Sequence, residues 1–286
     1  MKMNKFVYIL LIGLSLVLFS RCAKDLDLME GEVGVVPQQP SAPTDTIPDA
    51  DVPLPQPVID LEESMVDVEG GTFVMGCSPE QVGDCFFLES PPHNVTIDGY
   101  SISKYLVTQK LWKSVMGNNP SGFNDCEECP ANNVSYNEVI TFIQELNRIT
   151  GKTYRLPTEA QWEYAARGGH KAIVTKHAGS DDVDSVAWYA GTSNNRIHPV
   201  GLKKPNELGL YDMNGNVWEW CRDGFREYTS EDQLNPVGPT VSSSLSRVVR
   251  GGSYLHNDRH CRVSNRRIST PDFRSLSYGF RLLHEI

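Results

Sequence analysis

Apolar and polar residues alternate along residues 65–75, around Gly70 and Gly71, and again along 93–107. A period of two predicts strands, the first read as a hairpin or bulged strand. The period then lengthens to that of a helix. Ser135 and Glu138 form a capping box, and Val139, Phe142, Ile143 and Leu146 follow at helical spacing until Gly151 ends the run. Thr158 and Gln161 repeat the device after Pro157, with Trp162, Ala165 and Ala166 as an inward stripe that stops at Gly168 and Gly169. On this second helix Glu159, Glu163 and Arg167 recur every four residues and share a face, where they can pair with one another or with Arg155. That row reads as a solvated or network-forming face, because no second carboxylate stands where hydrolysis needs one. Beyond Gly168 the chain turns to Gly, Asn, Ser and aromatic residues, with short apolar stretches at 246–249 and 279–283. Loops of this kind must be pinned by ions, disulfides or buried hydrogen bonds, since their backbone groups would otherwise go unsatisfied.

The N-terminus changes the picture of where this domain sits. Lys2 and Lys5 precede an apolar run at 6–19, too short to span a membrane comfortably, and Cys22 follows. Residues 1–22 read as a signal, and FSRC at 19–22 resembles the lipobox of bacterial lipoproteins with Arg21 in place of a small residue. Cys22 is then the acylated membrane anchor; a plain secretory signal is the alternative. Residues 23–62 carry Pro37, Pro40, Pro43, Pro48, Pro53, Pro55 and Pro57 among polar residues and read as an extended tether, leaving 63–286 as the domain. KDLD at 24–27 resembles the short acidic signals of some surface-exposed lipoproteins. The expected location is therefore the outer membrane, the periplasm or the cell surface.

A net charge of −10 with no basic run argues against nucleic acid as a partner. Setting Cys22 aside leaves Cys77, Cys85, Cys126, Cys129, Cys221 and Cys261, for which disulfides are the default in an exported chain. Cys77 with Cys85 and Cys126 with Cys129 suit local staples, while CEEC at 126–129 also has the form of a redox or metal half-site.

Five strings carry a stronger signal: EGGTFVMG at 69–76, YRLPTEAQWEYAARGG at 154–169, NELGLYDMNGNVWEW at 206–220, RGGSY at 250–254 and GFRL at 279–282. In this order they resemble the formylglycine-generating-enzyme, or sulfatase-modifying-factor, family. The resemblance implies an irregular, loop-rich α+β fold related to C-type lectins, with bound calcium. It assigns a calcium site to the Asp212 and Glu219 carboxylates with the Gly215 and Val217 carbonyls, hard donors that suit this ion. The rival reading has Asp212 capping a turn and Glu219 paired with an arginine. A second family calcium site does not transfer, leaving only Asn194 and Asn195 as side chains of interest.

The family's enzymes oxidise a sulfatase cysteine to formylglycine with oxygen and copper(I), held by two cysteines with four residues between them. Here the second is Cys261, in a pocket with Ser253 and Trp218, and the first position holds His256. Copper(I) favours thiolates, and one of them must also exchange with the substrate thiol, so copper is not expected. A mixed His256 and Cys261 site and a Cys221–Cys261 disulfide are alternatives. The function expected is non-catalytic recognition or scaffolding, by a lipoprotein that binds a protein, peptide or glycan partner. A formylglycine-generating oxidase is the alternative.

Overall fold

The structure is a computed structural model that describes residues 53–81, 83–239 and 246–285. The signal, Cys22 and the tether as far as residue 52 lie outside the described residues. The end of that tether needs correction, because Gln56–Glu63 is a helix, α1. Prolines in a first turn forfeit no helical hydrogen bond. Pro55 caps α1, Pro57 lies in its first turn, and Val58 and Leu61, one turn apart, are buried in the core. Residues 53–62 therefore belong to the domain.

The strands β1 (Met65–Val68), β2 (Gly71–Met75), β3 (His93–Ile97) and β4 (Tyr100–Ser103) follow the two alternating runs. They do not form the expected hairpin. β1 pairs antiparallel with β4, and β2 pairs antiparallel with β3, so each run changes sheet at its glycine. The crossing is tight at Gly70, where an added Cβ would lie 2.6 Å from the Ile97 carbonyl oxygen.

Next come α2 (Gln109–Met116), α3 (Tyr136–Thr150), β5 (Tyr154–Arg155), α4 (Glu159–Ala166) and the short α5 (Val183–Val186). α3 and α4 begin at the expected capping boxes, and Gly151 closes α3 in the left-handed conformation. α2 went unpredicted although Thr108 caps it and Gly117 ends it. The chain ends with β6 (Trp218–Gly224), β7 (Gln233–Leu234), β8 (Arg247–Arg250), β9 (Arg266–Ser269), β10 (Tyr278–Gly279) and β11 (Leu283–His284). Three small sheets result, ordered β1-β4-β11-β5, β10-β6-β8-β9 and β2-β3-β7. The mixture of helices, small sheets and long loops is the expected α+β class. No described helix is long and apolar enough to cross a membrane.

Among the described residues two large apolar clusters fill the interior, one around Trp112, Phe142, Trp220 and Phe280, the other around Trp162, Tyr100 and Val248, with a smaller third around Leu106, Val217 and Tyr254. Between the loops runs a network of buried arginines. The α4 charge row is the centre of that network and is not a solvated face: Glu163 has no exposure and pairs with Arg250, while Glu159 takes Arg266 at 2.6 and 2.7 Å. Arg167 reaches back to Glu163 and across to Glu80 at 2.7 Å. Arg155 stands apart from the row and pairs with Glu285 at 3.0 Å. Arg262 closes the loop region by a two-pronged bond to Glu89, at 2.5 and 2.8 Å. Planar guanidinium on carboxylate is the geometry that makes buried ion pairs tenable, since it satisfies both partners at once. Disulfides Cys77–Cys85 and Cys126–Cys129 staple two of these loops, as their spacing suggested.

Candidate functional site

β6 carries Trp218 into the interior, held by its backbone N–H on the Ser277 carbonyl and by pairing with β10. The chain leaving β8 turns at Gly251 and Gly252, whose φ values of +95° and +80° are open to glycine at little cost. Gly252 is also crowded: a Cβ there would sit 3.0 Å from the Cys261 sulfur. The loop then runs past Trp218, pinned by Tyr254 N–H on the Asn216 carbonyl and by Ala190 N–H on the His256 carbonyl.

This brings Ser253, His256 and Trp218 together. Ser253 Oγ lies 2.7 Å from His256 Nδ1, and Trp218 Nε1 lies 3.3 Å from the same nitrogen. On the other side of the ring Arg267 Nη1, from β9, donates to Nε2 at 2.9 Å. A neutral imidazole has one lone pair and one N–H, so with Arg267 donating to Nε2 the Nδ1–H donates to Ser253 Oγ, and both ring nitrogens are engaged. Burial, then His260 and Arg267, push the His256 pKa down to about 4, which keeps the imidazole neutral at neutral pH. His260 lies 5.1 Å from His256 between ring centres and is itself shifted down, mainly by burial.

Cys261 ends the same loop but presents no reactive group. Its side chain has no exposure, and burial, followed by Asp258, holds the thiol well above its ordinary pKa. A thiolate is what binds soft metals and attacks disulfides, and this environment disfavours it. Cys221 is a second free, buried thiol, on β6 within the Trp162 cluster. The Cys221–Cys261 disulfide considered from sequence is not formed, so Cys261 is not tied up structurally in that way. Among the described residues no group of three or more His, Cys, Asp or Glu gathers that could hold a metal ion. A copper(I) site of the family kind does not fit: one thiol is absent, the other is buried and protonated, and both His256 nitrogens are engaged. Five cavities of about 380 to 550 Å³ among the described residues are lined by residues other than Ser253, His256 and Cys261.

The segment assigned to calcium lies just before Trp218. Asp212, Gly215 and Asn216 all have positive φ, at 55°, 75° and 57°, so the backbone coils tightly between the two carboxylates. Arg281 donates to both Glu219 oxygens, at 2.7 and 3.0 Å, and Asp212 accepts from Gly201 N–H at 2.8 Å and from the Asn216 amide at 3.3 Å. Glu219 thus makes the arginine pair of the rival reading, while Asp212 ties this segment to Gly201 instead of capping its own turn. Two buried carboxylates nevertheless stand near one guanidinium that bonds only Glu219, and burial raises the pKa of each, with Asp212 adding to the rise at Glu219. In kind, oxygen donors with surplus negative charge fit a hard cation. Gly215 and Val217 lie between these carboxylates in the chain, while Asn194 and Asn195 shape a left-handed turn, at φ 54° and 57°.

Sequence reasoning missed Arg267, His260 and Arg281, which decide what His256 and Glu219 do. RRI at 266–268 offered no signal that one arginine would face inward to Glu159 and the next outward to His256.

A family profile described as the Sulfatase-modifying factor enzyme 1-like domain matches residues 50–286. The chaperone protein LppX of Paenibacillus barcinonensis is 36% identical over 254 residues, covering 71% of this chain and 83% of that protein. The formylglycine-generating enzyme of Streptomyces coelicolor is 37% identical over 175 residues, and the match spans 54% of this chain and about half, 52%, of that enzyme. Among solved structures, Treponema denticola variable protein 1 superposes with a TM-score of 0.70 at 30% identity, over 78% of this chain and 95% of that one. The chain belongs to the Sulfatase-modifying factor enzyme 1-like family.

Proposed function

We propose that this chain is a non-catalytic recognition or scaffold member of its family, exported and anchored through Cys22. The observation that carries the reading is the state of the loop after β8. Where the oxidase chemistry needs two thiols, His256 is hydrogen-bonded at both ring nitrogens, and Cys261 is buried with its thiol held protonated. Fold alone does not confer activity, and a family scaffold without its reacting groups retains a surface for binding. The likeness to a protein named as a chaperone and to a variable protein supports a binding role over an oxidase.

The deciding assay offers the purified chain a cysteine peptide carrying a sulfatase-type motif, with copper(I) and oxygen, and follows the aldehyde by mass spectrometry. No aldehyde is expected. Aldehyde formation that disappears in Cys261→Ala would establish the oxidase instead. Anchoring is tested by labelling cells with a fatty-acid analogue: the wild-type chain takes up label and partitions with membranes, and Cys22→Ser does neither.

We also propose that calcium binds at Asp212 and Glu219, supported by the buried charge imbalance around Arg281. The ion would supply a fixed positive charge that braces the loop leading to Trp218.

A further inference from the structure

The chain as a whole carries a net charge of −10, yet Arg267 and Arg259 both bear on the His256–His260 pair. Arg267 is exposed on β9, the outer strand of its sheet, and its guanidinium lies 6.0 Å from the Trp218 ring centre. Arg259 is half-buried, its guanidinium 3.9 Å from the Phe86 ring centre. His260 stacks on that same ring at 5.1 Å and meets Trp218 edge-on at 6.0 Å. Two arginines and the His260 imidazole thus gather at Phe86 and His256, with Trp218 buried behind them.

What the patch lacks is an acceptor. Among the described residues neither Arg259 nor Arg267 has a carboxylate within ion-pair distance. Arg259 donates to the backbone carbonyls of Asp84 and Cys85, and Arg267 donates to the neutral His256. Nearby acids are committed elsewhere, Asp84 to Lys176 and Glu89 to Arg262. Asp258, exposed on the same loop, bears on Cys261, Tyr189 and His177, while Arg267 bears on His256. A donor-rich, cationic face with an aromatic floor is the chemistry that recognises oxyanions, because charge-assisted hydrogen bonds to carboxylate or phosphate are the strong ones.

We propose that this face binds an oxyanion, a carboxylate or phosphate group presented by an acidic peptide segment of the partner. The inference rests on the recognition reading above and names the chemistry of what is recognised. Arg267 and His260 grip the anion, and Trp218 with His256 forms the wall behind them.

The test titrates the purified full chain with hexaglutamate, inorganic phosphate and hexaserine, by calorimetry at low and at physiological salt. Hexaglutamate should bind, more weakly as salt rises, and hexaserine should not. Arg267→Gln, an exposed change, should weaken binding by about tenfold or more, as expected for loss of a charge-assisted bond. Its melting temperature should stay unchanged, and His260→Gln should act in the same direction. Phosphate that binds with the same dependence on Arg267 marks the site as an oxyanion site whatever the source. Hexaglutamate binding without phosphate binding marks it as specific to acidic peptide. Hexaglutamate that binds no better than hexaserine, or equally well to Arg267→Gln, overturns the proposal. Aldehyde formation would sink the recognition reading without touching this result, so the two failures are distinguishable.

Discussion

Glu163 and Arg250 touch with neither exposed to solvent, and Arg250 also faces Glu159 at 3.3 Å. Removing one partner of such a pair strands the other in a low-dielectric interior. Glu163→Gln should therefore destabilise the domain by about 3–5 kcal/mol, measured by urea denaturation. Asp223 behaves differently. It accepts backbone N–H groups from Glu159 and Gly238, yet burial and the nearby Glu159 charge raise its pKa from 3.8 to about 6. A raised carboxyl pKa means the folded state holds the proton more tightly than the unfolded chain. Its contribution is fully present below about 3.8 and is lost as pH rises through about 6, about 2–3 kcal/mol in all. Melting curves between pH 4 and pH 7 should show this decline in the wild type and a flatter profile in Asp223→Asn. At this scale the sequence announced the substitution at His256 directly, since a histidine stands where a thiol is needed. It could not announce that Trp218, Ser253 and Arg267 would engage both ring nitrogens, because those contacts join residues from β6, the loop after β8 and β9.

Among the elements, α3 and α4 were legible because their signals are local: a hydroxyl, a carboxylate or amide three residues on, and apolar residues every three to four positions. The strands were legible as strands but not as partners. Residues 65–75 read naturally as a hairpin around two glycines, and only the close approach of Gly70 to Ile97 shows that the glycines mark a change of sheet. α1 was hidden for a different reason, since its prolines matched the composition of the tether before it. Its Val58 and Leu61 side chains pack with Leu111, Trp112 and Leu146 in one cluster. A chain begun at residue 64 should therefore be less stable than one begun at residue 53, in the way that large-to-small core changes are. Truncating the buried leucine alone, Leu61→Ala, should cost about 2–4 kcal/mol. Equal melting temperatures for the two chains would mean that α1 contributes nothing to the core.

Across the whole molecule, stability rests on pairing buried charges, and the balance can be followed loop by loop. Glu89 has Arg262, Glu159 has Arg266, and Glu163 has Arg250 and Arg167, so these acids are matched by guanidiniums. Asp223 and the loop before Trp218 are less well matched: in that loop Asp212 and Glu219 are both buried, and Arg281 pairs with Glu219 while Asp212 takes only neutral donors. An uncompensated buried charge is costly, and it is relieved either by a proton, as the raised pKa values indicate, or by a cation. These alternatives predict opposite pH behaviour. If calcium binds only the folded loop, adding it at pH 7 should raise the melting temperature in proportion to occupancy, and chelation should reverse the gain. The gain should shrink toward acid pH as protons compete for the same oxygens, and it should vanish in Asp212→Asn, which removes one negative charge while keeping an oxygen. If the proton alone serves, calcium and chelator leave the melting temperature unmoved at every pH, and Asp212→Asn stabilises the domain at pH 7 because it removes the unmatched charge. Elemental analysis of the purified chain then reports whether it carries calcium as isolated, which the cation alternative expects and the proton alternative does not.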